Sequence, residues 1–211
     1  MTPVEERIVL VPAQVSTAIH RDTMTRSSLA VAALLLILVG VGGCSGTEPI
    51  EKLTEENFQT LITLEDDVRG LLLRDQEIRV DIRDTRALAG SVDAEAVSQI
   101  ESWYTVAFET LDRKQQMLMS VIDYVSEAEA LNRLEVMRSD LPDVPIQIMD
   151  PPIGDESFRV LAADIGVGGL IVFKKGDKAV TLHTAQRNGE ESLVSFEGLA
   201  ELARTVAGKL R

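Results

Sequence analysis

Cysteine, histidine and aromatic residues are all scarce in this chain. Cys44 is the single cysteine among 211 residues, so an intramolecular disulfide is impossible. The two histidines, His20 and His183, are far apart in sequence, and a zinc site built on several histidine or cysteine ligands is therefore implausible. One tryptophan and two tyrosines do not favour an aromatic platform that stacks on sugars.

Positive charge is also in short supply. The chain has 21 lysines and arginines against 34 aspartates and glutamates, which gives a formal net charge of −13. Proteins that bind nucleic acid neutralise phosphates with clustered basic residues, so we expect no nucleic-acid partner. The acidic balance also provides no attraction to an anionic lipid surface, so any membrane attachment needs another source.

Motifs that carry known catalytic chemistry are missing from the sequence. It has no GxSxG, HExxH or SxxK pattern, and the run GVGG at residues 166–169 lacks the GK[ST] ending of a phosphate loop. We interpret 166–169 as a glycine-rich turn or bulge between strands. We expect no enzyme activity, no cofactor and no metal, and we interpret His183 as a surface or hydrogen-bonded histidine. Catalysis by His183 with a nearby carboxylate is the alternative.

The longest apolar run covers residues 29–41, LAVAALLLILVGV. It is too short to span a bilayer as a helix, which takes roughly 20 residues. It matches the apolar region of a secretory signal, which runs about 7–15 residues. The segment MTRSS at 24–28 precedes it with a positive charge, and small residues and Cys44 follow it.

Val41, Gly42, Gly43 and Cys44 resemble the lipobox of bacterial lipoproteins. This resemblance implies that a signal peptidase recognises residues 41–43 and cuts before Cys44. It also implies that Cys44 carries diacylglyceryl and a further acyl chain, such as palmitate, as a membrane anchor in the cell envelope. Ser45 follows the cysteine, and in Gram-negative lipoproteins a residue other than aspartate there permits transfer to the outer membrane. A short transmembrane anchor with an incidental cysteine is the alternative.

Residues before the signal do not fit it, since 1–23 carry mixed charge and two prolines. We expect Met24 to be the true start and 1–23 to be a mis-assigned upstream extension. Residues 24–43 then form the signal peptide. Residues 44–53 form a short tether that keeps the first domain close to the lipid surface.

The middle of the chain predicts a long antiparallel helical hairpin over residues 54–140. Apolar residues recur at spacings of three and four, as in a bundle or coiled coil, from a cap at Thr54 to a turn at 90–93 and on to 140. Asp75 interrupts this apolar seam and is expected to fix register or to pair with Arg79. The alternating residues 78–83 are a strand signal, but no turn residues bound them, so we favour helix.

The end of the chain predicts a separate small domain. Four prolines make 141–156 a proline-rich linker, and 157–211 is predicted to be a small α/β domain. Its strands are expected at 158–163, 169–173, 179–184 and 192–196, with a hairpin turn at 175–178 and a helix at 197–210 capped by Ser195. The predicted fold class is α+β: a long helical hairpin followed by a small antiparallel sheet with one C-terminal helix.

These features favour a non-catalytic, lipid-anchored envelope protein. The helical hairpin would act as an interaction or spacer module, with an envelope protein or a second copy as partner. A ligand-binding lipoprotein with an apolar pocket between the hairpin and the C-terminal sheet is the alternative.

Overall fold

One antiparallel sheet of seven strands forms the framework of this protein. The computed structural model describes residues 49–90, 97–141, 144–162, 167–187 and 190–211. The strands lie in the order β1-β2-β3-β7-β6-β5-β4, so β3 pairs with β7 across the centre. Their bounds are β1 Ile78–Asp84, β2 Ile100–Thr110, β3 Gln115–Tyr124, β4 Ile146–Ile148, β5 Glu156–Ala162, β6 Val167–Lys175 and β7 Lys178–Gln186.

Helices are short within the described residues. They are α1 (Glu55–Phe58), α2 (Thr85–Gly90), α3 (Glu127–Ser139) and α4 (Phe196–Lys209), with a π-helical turn at Leu64–Val68 and a 3₁₀ turn at Arg69–Leu71. Side-chain oxygens of Thr54, Ser126 and Ser195 cap α1, α3 and α4. In the described ranges, no helix combines the length and the apolar character that a membrane crossing requires.

The sheet is covered on both faces by different parts of the chain. On one face α4 and the segment from Ile50 to Leu72 pack over the apolar residues of the central strands. Alternate strand residues point to this face. Their burial stabilises the fold by about 25 cal/mol for each Å² of apolar surface removed from water. On the opposite face α3 covers part of the sheet: Leu134 packs on Phe158, Val160 and Val172, and Ala130 lies in a second buried cluster with Ile122 and Tyr124 of β3.

The predicted long helical hairpin over 54–140 is wrong. Its described residues instead hold the short helices α1 and α2, three strands and the 13-residue helix α3, and no coiled coil lies among them. Tyr104 is half-buried while Val106 and Phe108 are buried on the α4 side, and Met117, Met119 and Val121 alternate in the same way on β3. The apolar spacing of three and four residues that predicted a helix therefore arises by chance. The pattern that determines the structure is that of a strand, in which every second residue is buried.

The turn between β2 and β3 explains why the sequence does not predict a β-hairpin there. It contains no glycine, proline or asparagine, and Arg113 takes the left-handed conformation at φ 57°. A non-glycine residue rarely adopts this conformation, so the sequence gives no turn signal there. The period-two signal at 78–83, by contrast, belongs to a strand, β1.

The expected separation into two domains is also absent. Strands from both sides of 141–156 belong to the same sheet, and Gly46–Arg211 forms one compact unit. Within the predicted linker, β4 pairs with β5, and Leu141 and Val144 pack beside Leu134.

The C-terminal part of the chain agrees better with its sequence pattern. Strands β5, β6 and β7 lie where strands are expected, and Gly176, at φ 57°, begins the two-residue turn between β6 and β7. Helix α4 begins after Ser195, whose hydroxyl accepts a hydrogen bond from the Gly198 N–H. A fourth strand at 192–196 is not formed, and Val194 makes only an isolated bridge to Leu72.

Gly154 gives a test of this packing. It has φ 69°, and an added Cβ would lie 2.3 Å from the main-chain oxygen of Lys174. We expect Gly154→Ala to lower the free energy of unfolding by roughly 1–3 kcal/mol, because backbone must move to admit the methyl group. Gly208 in α4 has nothing within 4 Å of an added Cβ. Gly208→Ala is therefore the matched control and should leave stability equal or raise it by up to about 1 kcal/mol. Equal melting temperatures for both variants would contradict the packing described.

Candidate functional site

A buried ion pair fixes the beginning of the folded domain to the sheet. Lys178 and Asp123 are 1% and 3% exposed in their side chains, and Lys178 Nζ lies 3.3 Å from Asp123 Oδ1. Lys178 Nζ also donates to the main-chain oxygen of Glu51 at 2.6 Å and to Asp177 Oδ1 at 2.5 Å. Asp123 Oδ2 accepts from the Leu53 N–H at 3.0 Å. Burial raises the pKa of Asp123, and the Leu53 N–H and Lys178 oppose that rise.

The first and last described residues meet beside this pair. Ile50 bridges Leu210 in parallel, with hydrogen bonds from the Ile50 N–H to the Lys209 carbonyl and from the Arg211 N–H to the Ile50 carbonyl. Lys209 Nζ donates to the carbonyls of Thr60 and Leu61, both at 2.9 Å. Residues 50–53, expected to be part of a tether, are therefore integral to the fold.

These contacts define a near end and a far end of the sheet. The near end carries Ile50, the β6–β7 turn and the beginning of β2. The far end carries the β2–β3 turn and the beginning of β1, because Ile78 pairs with Thr110. The eleven residues of β2 separate the two ends by roughly 33 Å at about 3.3 Å per residue.

A charged cleft opens on the same sheet face as α3, in the part that α3 leaves uncovered towards the far end. It has a volume of about 200 Å³, with Ala107 at its floor. Strands β1, β2 and β3 supply most of its lining because cross-strand partners point to the same face, and the β2–β3 turn adds Arg113. The polar members of the charged cleft are Arg79, Asp81, Arg83, Glu109, Arg113 and Gln116.

Positive charge exceeds negative charge in this cleft, in contrast to the chain as a whole. Arg83 pairs with Asp81 at 2.5 Å, and Arg113 approaches Glu109 at 3.9 Å. Arg79 is exposed, and no carboxylate of the described residues lies within ion-pair distance of its guanidinium. The cleft therefore offers an exposed guanidinium suited to a carboxylate or another planar anion.

An apolar groove lies on the other face of the same edge. It has a volume of about 280 Å³ and separates the segment around α1 from β1 and β2. Phe58 at its wall stacks on Tyr104 with 5.4 Å between ring centroids. Val80, on its rim, is 41% exposed. The apolar lining of the groove includes Phe58, Ile62, Leu64, Val80, Ile82 and Phe108.

Comparison with known proteins adds little to this geometry. No protein-family model matches the chain, and no curated protein matches it in sequence. Among solved structures, the chain is similar to the extracellular domain of PknH from Mycobacterium tuberculosis. The TM-score is 0.46 with 8% sequence identity, over 77% of this chain and 97% of that one. This similarity assigns no function to the chain.

Several residues singled out from the sequence lie outside the described residues or away from the cleft and the groove. Cys44, its neighbours Val41, Gly42 and Gly43, and Ser45 lie outside the described residues. Asp75 is exposed in an irregular segment before β1 instead of in a helical seam, and no ion pair to Arg79 forms.

His183 and the glycine run have packing roles. His183 is half-buried on β7, where Leu118 and Leu170 flank it across the strands, and burial lowers its pKa. No described carboxylate lies within ion-pair distance of its ring. Gly169 packs under the Phe196 ring, which would be 2.8 Å from an added Cβ, and a bulge interrupts the β6–β7 register between Val167 and Gly169. Gly166 lies outside the described residues.

Sequence reasoning missed the residues that line the charged cleft. Arg79, Asp81 and Arg83 alternate with Val80 and Ile82, which is the one signal that could have indicated a two-faced strand. Their assembly with Glu109 and Arg113 depends on the pairing of β1 with β2, which the helical interpretation hid.

The buried ion pair predicts a strong asymmetry between single and double variants. Lys178→Met leaves Asp123 buried without its cation, and we expect a loss of roughly 3–5 kcal/mol in the free energy of unfolding. Asp123→Leu combined with Lys178→Met should recover part of this loss, because an apolar pair of similar volume carries no uncompensated charge. Denaturant unfolding measures both. Lys175→Met, at the more exposed lysine of the same turn, is the matched control. A loss from Lys178→Met no larger than the control's would contradict this account.

His183 predicts a pH dependence of stability. Because burial lowers its pKa from the ordinary 6.5, the unfolded chain takes up the proton more readily than the folded one. Stability should therefore fall as the pH drops through 6.5 towards the lower folded pKa. We expect His183→Gln to show a smaller loss of melting temperature than the unsubstituted chain between neutral pH and about pH 5.5. Parallel curves for the two proteins would contradict the expectation.

Proposed function

We propose that this chain is a lipid-anchored protein of the cell envelope that acts as a non-catalytic binding module. Acyl chains on Cys44 hold it to the membrane, and the β1 edge of its sheet is the binding surface. The helical hairpin expected to serve as a spacer does not exist, so the interaction role passes to the sheet.

The anchoring part is supported by the lipobox-like Val41–Gly42–Gly43–Cys44 and by the fixed position of Ile50 in the fold. Six residues from Cys44 to Ile50 reach at most roughly 20 Å. The near end of the sheet would then lie close to the lipid. Two or more acyl chains, at ~0.8 kcal/mol per buried CH₂, give stable attachment without help from an acidic protein surface.

The binding part rests on one observation: the charged cleft and the apolar groove flank β1 towards the end of the sheet remote from Ile50. A module held by its near end would expose this edge away from the membrane. A separate small apolar ligand is the alternative, since the groove's volume of about 280 Å³ is near the lower end of the roughly 300–1,000 Å³ of typical ligand pockets.

Lipidation is tested at Cys44. We expect cells that express the full chain and are fed an alkyne-tagged palmitate to label it, with a tryptic peptide 44–52 that begins at an acylated Cys44. Cys44→Ala should abolish labelling and leave residues 24–43 uncut, because the thiol is the acyl acceptor. Ser45→Ala is the matched control and should remain labelled. A label that persists in Cys44→Ala, or a mature N-terminus elsewhere, would overturn the anchoring proposal.

A further inference from the structure

β1 lies at one edge of the sheet. It is the first strand of the sheet order, and within the described part of the chain β2 is the only strand that pairs with it. Alternate residues of an edge strand direct their N–H and C=O groups outward, where another strand can pair with them. The opposite edge, β4, has only three residues, so β1 is the edge with room for an added strand.

The two faces of β1 have opposite chemistry. Arg79, Asp81 and Arg83 point into the charged cleft, and Val80 and Ile82 point into the apolar groove. Because side chains alternate along a strand, a strand added to β1 would place every second side chain in the groove and the others over the cleft. Val80 is 41% exposed beside the groove's buried Phe58 and Phe108, so its outer side is uncovered.

Charge determines which strand fits. Charged side chains on an edge strand oppose pairing with any strand whose charges do not complement them. Here Arg79 has no carboxylate partner among the described residues, and the arginines of the cleft outnumber its two acids. A carboxylate from the added strand would complete this set.

In the register that pairs the whole of β1, a second copy of the chain is a poorer match. The antiparallel register that pairs all seven residues of β1 with themselves sets Arg79 against Arg83 and Asp81 against Asp81. Like charges directly opposite each other destabilise a strand pair. We therefore infer that β1 accepts, by strand addition, an extended peptide whose residues alternate between acidic and apolar side chains.

This inference names the partner class of the binding module proposed above, and its test does not depend on how the chain is anchored. The full chain, purified in detergent from whole-cell lysate, is titrated against fluorescent ten-residue peptides in which glutamate alternates with valine. Binding is followed by anisotropy, and hydrogen exchange of residues 78–84 is measured in the same samples. Acylation of Cys44 is checked by mass on that preparation, so failure of anchoring and failure of peptide binding are separate results.

We expect saturable binding and slower exchange of the β1 amides. Arg79→Glu should weaken binding by about tenfold or more, since it replaces a complementary charge with a repelling one. Arg204→Glu is the matched control: Arg204 is exposed on α4, and the change in net charge is the same. A peptide of the same composition with its glutamates grouped at one end, and a peptide N-methylated at alternate residues in either register, should bind much more weakly.

Four results would overturn the inference. They are no binding of any alternating peptide at millimolar concentration, undiminished binding of both N-methylated peptides, unchanged exchange in β1, and equal weakening by Arg79→Glu and Arg204→Glu. A dimer whose interface protects β1 in the absence of peptide would assign the edge to a second copy instead.

Discussion

Burial of Lys178 against Asp123 is the constraint on which the arrangement of the domain depends. Two charges removed from water cost several kcal/mol each unless every polar atom around them is satisfied. Three parts of the chain supply the partners: Leu53 and Glu51 in the first segment, the end of β3, and the β6–β7 turn. The first segment can thus cover the sheet in one position only. That position sets the wall of the apolar groove, because Phe58 and Ile62 follow directly.

The two faces of β1 differ in chemistry: one face is charged and the other is apolar. A chain with a net charge of −13 concentrates three arginines on one side of β1 and β2, while the same two strands present apolar residues to the other side. Side-chain alternation produces this without any loop or helix terminus. The net charge of the whole chain is therefore a poor guide to the local electrostatic field at this edge.

The C-terminal half was predictable because its signals are local. Gly176 and Asp177 mark a turn between apolar strands, and Ser195 precedes an amphipathic helix. The N-terminal half has no comparable turn signal between its strands. Arg113 supplies a left-handed turn residue that no sequence rule expects, and Tyr104, Ala107, Leu111 and Leu118 fall by chance at helical spacing. The charged cleft could not be inferred, since it exists only once β1, β2 and β3 are paired in register. Cys44 remains a prediction from its sequence motif.

The bridge between Ile50 and Leu210 has a consequence for the order of assembly. The residue that begins the described fold finds its strand partner at the very end of the chain, and β3 must wait for β7 before the central pairing can form. Pairings so distant in sequence make folding slow and close the domain late. A chain emerging N-terminus first, from a ribosome or through a membrane pore, therefore stays open until its last helix has appeared. During that interval the chain remains unfolded, and an unfolded chain is what passage through a narrow pore requires.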